Sequence, residues 1–324
     1  VAWAPPLLAQ PTTMKAIAHT QTPGVTAGDM QMHRQQRSIT VRDGRRIGAA
    51  EYGTAAGAPL FWFHGTPGCR WSIPNDQVSR DRDVRLIALE RPGYGISDAH
   101  PERTFASWAD DVADCADALG LERFAVAGHD RGGRVAYRMA LDHPDRVARL
   151  AVLDILPTYD YWRNMDWHYG MAIYHWLFLA QPRPLPERLI AGAADFYLEH
   201  TLASWTASKD LSAFDARALA AYRASFLQEA RQHAACEDYR AGATIDMELD
   251  TADREAGRRI GCPVLVLYGN RGIAEKTSTP LGTWSRWADD VRGTGVDAGH
   301  FLVEENPAGT LDAMLPFFLQ EALA

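Results

Sequence analysis

The stretch RFAVAGHDRGGRVAYRMALDH, residues 123–143, decides the fold. RFAVAG (123–128) reads as a short apolar strand and RGGRVAYRMALDH (131–143) as a helix. Between them, Gly128, His129, Asp130, Arg131 and Gly132 follow the pattern small, any, nucleophile, any, small. That pattern marks a sharp strand-to-helix turn that holds its central residue exposed. Gly128 and Gly132 let the chain turn, and Gly133 lets the helix pack close to the sheet. The central residue is usually Ser; here it is Asp130, followed by an arginine. The free N–H groups at a helix N-terminus favour negative charge, so a carboxylate placed there stays ionised and can attack carbon. The plainer alternative is that Asp130 caps the helix.

Working outward, short apolar runs alternate with helical patterns, which predicts an α/β protein with a mostly parallel sheet and flanking helices. The expected strands are 46–53, 60–63, 84–89, 123–128, 149–154, 263–269 and 292–297. Residues 105–119 read as a helix with Trp108, Val112, Cys115 and Leu119 inward and Asp110, Asp111, Asp114 and Asp117 on a solvated face. From 157 to 256 the alternation stops and helical patterns take over. This segment holds four of the ten Trp and seven of the eleven Tyr, enough to wall a pocket beneath an inserted helical cap. The expected organisation is therefore a loose extension over 1–36, a core over 37–156 and 257–324, and a cap over 157–256.

Two further pieces carry chemistry. In DAGHFLVEENP (297–307), His300 follows the last expected strand and precedes the last helix, the place of a general base in the chain order nucleophile, acid, base. The acid often follows the strand before the base strand, but LYGNRGIAEK (267–276) puts Asn270 there. Asp154, ending the strand RLAVLD, is the better candidate because α/β sites are built at C-terminal strand edges; Glu275 is held in reserve. Arg131 and Arg134 lie three apart, so both project from one side of the first helical turn. Cations normally belong at the other helix end, so the pair points to an anionic substrate group held by bidentate bonds. The alternative is salt bridges to carboxylates of the inserted segment.

Composition narrows the partners. The chain of 324 residues is 47% hydrophobic and carries a net charge of −8. No basic stripe is present, which argues against nucleic acid and anionic membrane surfaces. No apolar run reaches the ~18 residues of a membrane span. Cys69, Cys115, Cys236 and Cys262 form no metal spacing and read as free thiols of a cytoplasmic protein. The start VAWAPPLLAQP lacks the basic region of a secretory signal, so 1–36 is expected to be an aperiodic extension. No metal or cofactor is expected.

The stretches GHDRGGRVAYRMALDHPDRVARLAVLDILPT, YHWLFLAQPRPLPE, CEDYRAG, PLGTWSRWADDV and GHFLVEE together resemble haloacetate dehalogenases of the fluoroacetate type, within the α/β-hydrolase superfamily. They cover most of residues 126–305. The resemblance implies an α/β-hydrolase fold and a homodimer. It maps the nucleophile to Asp130, the acid to Asp154, the base to His300 and the carboxylate-holding arginines to Arg131 and Arg134. A halide cradle maps to His175, Trp176 and Tyr239. HGTPGCR and ALERPGYGISD look like general α/β-hydrolases; the family more often has an aromatic where Thr66 stands. His64, Gly65 and Thr66 should line the loop facing the turn. The implied substrate is a small haloacid, with water as co-substrate. Epoxide hydrolases also use an aspartate at this turn, but an arginine pair suits a neutral epoxide poorly. A receptor that binds a small acid without turnover is the remaining alternative, and the Asp130, His300, Asp154 set speaks against it.

Overall fold

The computed structural model describes residues 35–73, 83–272 and 279–319. Eight strands form one sheet: β1 (Gln35–Thr40), β2 (Arg46–Gly53), β3 (Ala58–Phe63), β4 (Val84–Leu89), β5 (Phe124–His129), β6 (Val147–Leu153), β7 (Val264–Gly269) and β8 (Val291–Val296). Their spatial order is β1-β2-β4-β3-β5-β6-β7-β8. β2 runs antiparallel to both β1 and β4, and every other pairing is parallel. The strands expected from the sequence are present, most within one or two residues of their expected ends. β1 was not expected, and it begins two residues inside the presumed extension, whose residues 1–34 lie outside the described region, as does Glu275. Its sequence QQRSIT is polar, as suits an edge strand.

A central parallel strand is covered on both faces and must be apolar on both. Along β3, Phe61 and Phe63 join one core while Leu60 and Trp62 join the other. The first core packs under α1 (Phe105–Ala118) and α2 (Arg131–Asp142), with Trp108, Val135 and Met139. Eight helices then follow β6: α3 (Thr158–Arg163), α4 (Trp167–Ala172), α5 (Tyr174–Leu179), α6 (Leu185–Ala191), α7 (Ala194–Trp205), α8 (Ala216–Phe226), α9 (Glu229–Ala243) and α10 (Ile245–Glu255). They build a third, aromatic-rich core that includes Tyr161, Tyr169, Trp176, Tyr222 and Tyr239, and reaches Phe301 of the core loops. α11 (Pro280–Trp284), α12 (Leu302–Glu305) and α13 (Pro307–Leu319) are the remaining helices among the described residues, and Leu311, Met314 and Phe317 of α13 cover the second sheet face. Cys69, Cys115 and Cys236 are buried, Cys262 is half-buried, and all four are free thiols.

The acidic face of α1 is not simply solvated. Asp111 is buried and takes two hydrogen bonds from Arg45, at 2.9 and 2.5 Å. Asp114 pairs with Arg42, Asp117 with Arg146 and Asp110 with His143. The turn between β1 and β2 carries Arg42 and Arg45 onto the helix, so the unexpected edge strand supplies two of these pairs, while His143 and Arg146, after α2, supply the others.

The turn at Asp130 depends on close backbone approach. A Cβ on Gly132 would run into the carbonyl group of Phe63. Gly132→Ala is therefore expected to cost about 1–3 kcal/mol, read as a lower urea midpoint at unchanged slope. A wild-type midpoint would contradict this packing.

Candidate active site

Asp130 and Asp154 end adjacent parallel strands, and both adopt backbone conformations that non-glycine residues avoid, with φ of 49° and 51°. The sheet over-determines them: the N–H of Asp130 donates to Leu153 O at 3.2 Å, and that of Asp154 to Leu267 O at 2.8 Å. Asp130 occupies the cap position of α2, yet its side chain makes no capping hydrogen bond. Its Oδ1 instead accepts the backbone N–H of Thr66 at 2.9 Å, so the loop after β3 does face the turn as expected. Burial alone would raise the carboxyl pKa. The charges of His300 and Arg131 and the Thr66 N–H outweigh burial and hold the group ionised, well below the ordinary carboxylate range.

His300 Nδ1 donates to Asp154 Oδ2 at 2.6 Å, and Asp154 Oδ1 accepts the Gly269 N–H at 3.0 Å. The acid is thus fixed from β7, and Nε2 of His300 is left as the nitrogen that can take a proton. Burial lowers the pKa of His300, but the hydrogen bond and charge of Asp154, helped by Asp130, raise it above the ordinary imidazole value. The loop is held by the His300 N–H on Trp205 O at 3.0 Å and by His129 Nε2 on His300 O at 2.7 Å. Burial pushes His129 down to about 4, so it is neutral and donates from Nε2.

Asp130, Arg134, His175, Trp176 and His300 line one small cavity, together with Tyr161, Ile173 and Trp205. The last three were not singled out in the sequence; Tyr161 and Trp205 belong to the aromatic excess that signalled a pocket wall. Trp205 has its ring 4.4 Å from that of His175 and 5.5 Å from that of His300. Tyr239 stands beside the cavity-lining pair, its ring 5.6 Å from His175 and 5.7 Å from Trp176. Burial brings His175 down to about 3, and its Nδ1 is buried without a hydrogen-bond partner among the described residues.

The two arginines converge on one indole. The guanidinium carbons of Arg131 and Arg134 lie 4.6 and 4.5 Å from the centre of the Trp176 ring. Arg131 also stacks on Tyr239 at 3.5 Å and donates from Nη1 to Asp238 O at 3.0 Å. Arg134 donates to Leu156 O at 2.9 Å and to Thr158 Oγ1 at 3.1 Å. Both are essentially fully buried, and among the described residues neither is within ion-pair distance of a carboxylate. Arg131 Nε and Nη2 and Arg134 Nε have no hydrogen-bond partner among the described residues. The salt-bridge alternative is therefore not what these side chains do. Chemically, the cavity joins an ionised carboxylate, an oriented imidazole and donors with positive charge left over.

A family model of the alpha/beta hydrolase fold matches residues 58–307, and the chain belongs to that family. It is a hydrolase of this fold. Among its relatives, a fluoroacetate dehalogenase from Burkholderia sp is 37% identical over 273 residues, covering 82% of this chain and 88% of that protein. A soluble epoxide hydrolase from Corynebacterium sp. (strain C12) is 27% identical over 81% of this chain and 91% of its own. A solved alpha/beta hydrolase from Nostoc sp PCC 7120 superposes with a TM-score of 0.82 at 41% identity, over 89% of this chain and 98% of its own.

The Asp154–His300 bond can be tested without any substrate. Asp154→Asn removes the anion that favours the imidazolium, so the pKa of His300 must fall. NMR titration of labelled histidines should show it above the ordinary value in the wild type and clearly lower in the variant. Equal values would separate the pair.

Proposed function

We propose that the protein hydrolyses the carbon–halogen bond of a small 2-haloacid such as haloacetate, by way of an ester on Asp130. The observation that carries this reading is the pair of buried guanidiniums that, among the described residues, lack a carboxylate within ion-pair distance beside an ionised nucleophile. A buried cation is costly unless paired, and the substrate's own carboxylate would complete Arg131 and Arg134.

In the first step an Asp130 oxygen attacks the halogen-bearing carbon. The carbon–halogen bond breaks, and halide leaves with the bonding electrons. A carboxylate suits this step because the product is an ester; a serine would give an ether that water does not cleave. Residues 157–256 act as the cap, and His175, Trp176 and Tyr239 offer donors to the departing halide. In the second step His300, held by Asp154, takes a proton from water, which adds to the ester carbonyl carbon. The ester carbon–oxygen bond then breaks and His300 returns its proton to the departing oxygen; the hydroxyacid leaves with the original Asp130 oxygen, and the nucleophile keeps the oxygen of water and releases the second water proton. Glycolate would be the product from haloacetate.

An epoxide hydrolase is the second reading, favoured by the named relative and by Tyr161 in the cavity wall. A neutral epoxide would leave both guanidiniums unpaired, which is why the haloacid is preferred. Halide release from a panel of haloacids, run beside epoxides, decides between them.

His300→Asn should stop the second step and not the first. Incubated with bromoacetate, the variant should gain about 58 Da, a carboxymethyl ester on Asp130; a folded variant that stays unmodified would falsify the division of roles. Tyr239→Phe should slow fluoroacetate by roughly 10–100-fold, since fluoride is the strongest hydrogen-bond acceptor and the poorest leaving group. Bromoacetate should lose far less. Equal losses for the two substrates would remove Tyr239 from the halide site.

A further inference from the structure

Asp238, on α9, has no part in the chemistry proposed above, yet it touches both halves of the site. Its carboxylate is buried between two guanidiniums: Oδ2 accepts Arg91 Nη1 at 2.6 Å, and Oδ1 pairs with Arg103 Nε at 2.8 Å. Tyr94 donates its hydroxyl to Oδ2 at 2.9 Å. Arg91 is fully buried and continues the chain of contacts. It donates to Gly65 O at 3.1 Å and to Thr66 Oγ1, and Thr66 is the residue whose N–H holds the Asp130 carboxylate. The backbone of Asp238 works on the opposite side. Its carbonyl accepts Arg131 Nη1, and the ring of Tyr239, the next residue, covers the Arg131 guanidinium.

We infer that Asp238 is a positioning residue that sets the distance between the nucleophile and the substrate-holding arginine. Its side chain fixes the Thr66 donor through Arg91, while its main chain fixes Arg131. This inference rests on the proposed displacement at carbon, in which attack demands that Asp130 and the substrate carboxylate be held in line. Ester hydrolysis shares the Thr66 N–H, which meets the oxyanion formed when water adds to the Asp130 carbonyl carbon, but a tethered ester no longer needs the in-line hold on its carboxylate. Disturbing Asp238 should therefore slow alkylation more than hydrolysis and weaken carboxylate binding, whereas a purely structural role would reduce the fraction of active enzyme and leave the affinity and the step rates of the remainder unchanged.

Asp238→Asn keeps the shape of the side chain and removes the charge. Asp238→Glu restores the charge at a different reach. Arg103→Gln removes one partner while leaving Asp238 and Arg91 in place. Quench-flow with bromoacetate gives the alkylation and hydrolysis rates separately. Quenching of tryptophan fluorescence by acetate, an unreactive carboxylate, gives binding at the arginine pair. For Asp238→Asn, alkylation should fall at least ~tenfold, acetate should bind more weakly, and ester hydrolysis should fall by clearly less than alkylation, with partial recovery in Asp238→Glu. A cooperatively folded Asp238→Asn with wild-type alkylation and acetate binding overturns the inference, as does an equal fall in both steps at wild-type acetate affinity. If Asp238→Asn does not fold, Arg103→Gln is read in its place: a smaller selective loss of alkylation supports the inference, and wild-type rates overturn it. If the wild type forms no ester with bromoacetate, the proposed reaction fails. Acetate affinity then decides the role of Asp238 by itself, weaker binding supporting it and unchanged binding overturning it.

Discussion

An ionised carboxylate inside a protein must be surrounded by compensating charge and donors, or it will take up a proton. Asp130 is 7% exposed, and the arrangement around it meets that demand from three directions. The loop after β3 supplies the Thr66 N–H, the loop after β8 supplies His300, and α2 supplies Arg131. These loops come together because parallel strands deliver their C-terminal ends to one edge of the sheet. The strained backbone at Asp130 and Asp154 is tolerable for the same reason, since strand pairing fixes both residues from their neighbours.

The inserted helices solve a different problem, the presence of two buried cations with no carboxylate within ion-pair distance among the described residues. Stacking Arg131 and Arg134 on Trp176, Tyr161 and Tyr239 lets quadrupoles and carbonyl oxygens hold the guanidiniums while leaving N–H groups unspent. A carboxylate partner would have been more stabilising and would have closed the site to any anion from outside. The aromatic richness of the insertion is thus tied to the arginines on the first turn of α2.

Much of this was legible in the sequence because it is written in local order. The turn around Asp130, the strand-end position of Asp154 and the place of His300 before a helix are all features of neighbouring residues. What was not legible depends on partners chosen across the chain. Asp238 meets Arg91 at a separation of 147 residues, and no periodicity announces such a pair. Asp111 looked like one more acid on a solvated helix face, and it is buried because an unexpected edge strand carries Arg45 to it. That strand was missed because QQRSIT has no apolar alternation. Trp205 reaches the cavity from the end of α7, and composition could announce an aromatic wall without saying which ring would stand beside His300.

The cysteines acquire a meaning from the proposed substrate. Haloacids alkylate thiolates, so an enzyme that accumulates them risks being poisoned at its own sulfur atoms. A thiol reacts through its anion, and burial suppresses that anion at every cysteine in the chain. It pushes Cys69 and Cys236 up to about 12 and Cys262 to about 11, and raises Cys115 as well. At neutral pH the one strongly ionised nucleophile in contact with the haloacid would be Asp130, whose ester water can cleave. The four thiols, whose thioethers water could not cleave, stay protonated, three of them within the packed interior and Cys262 half-buried.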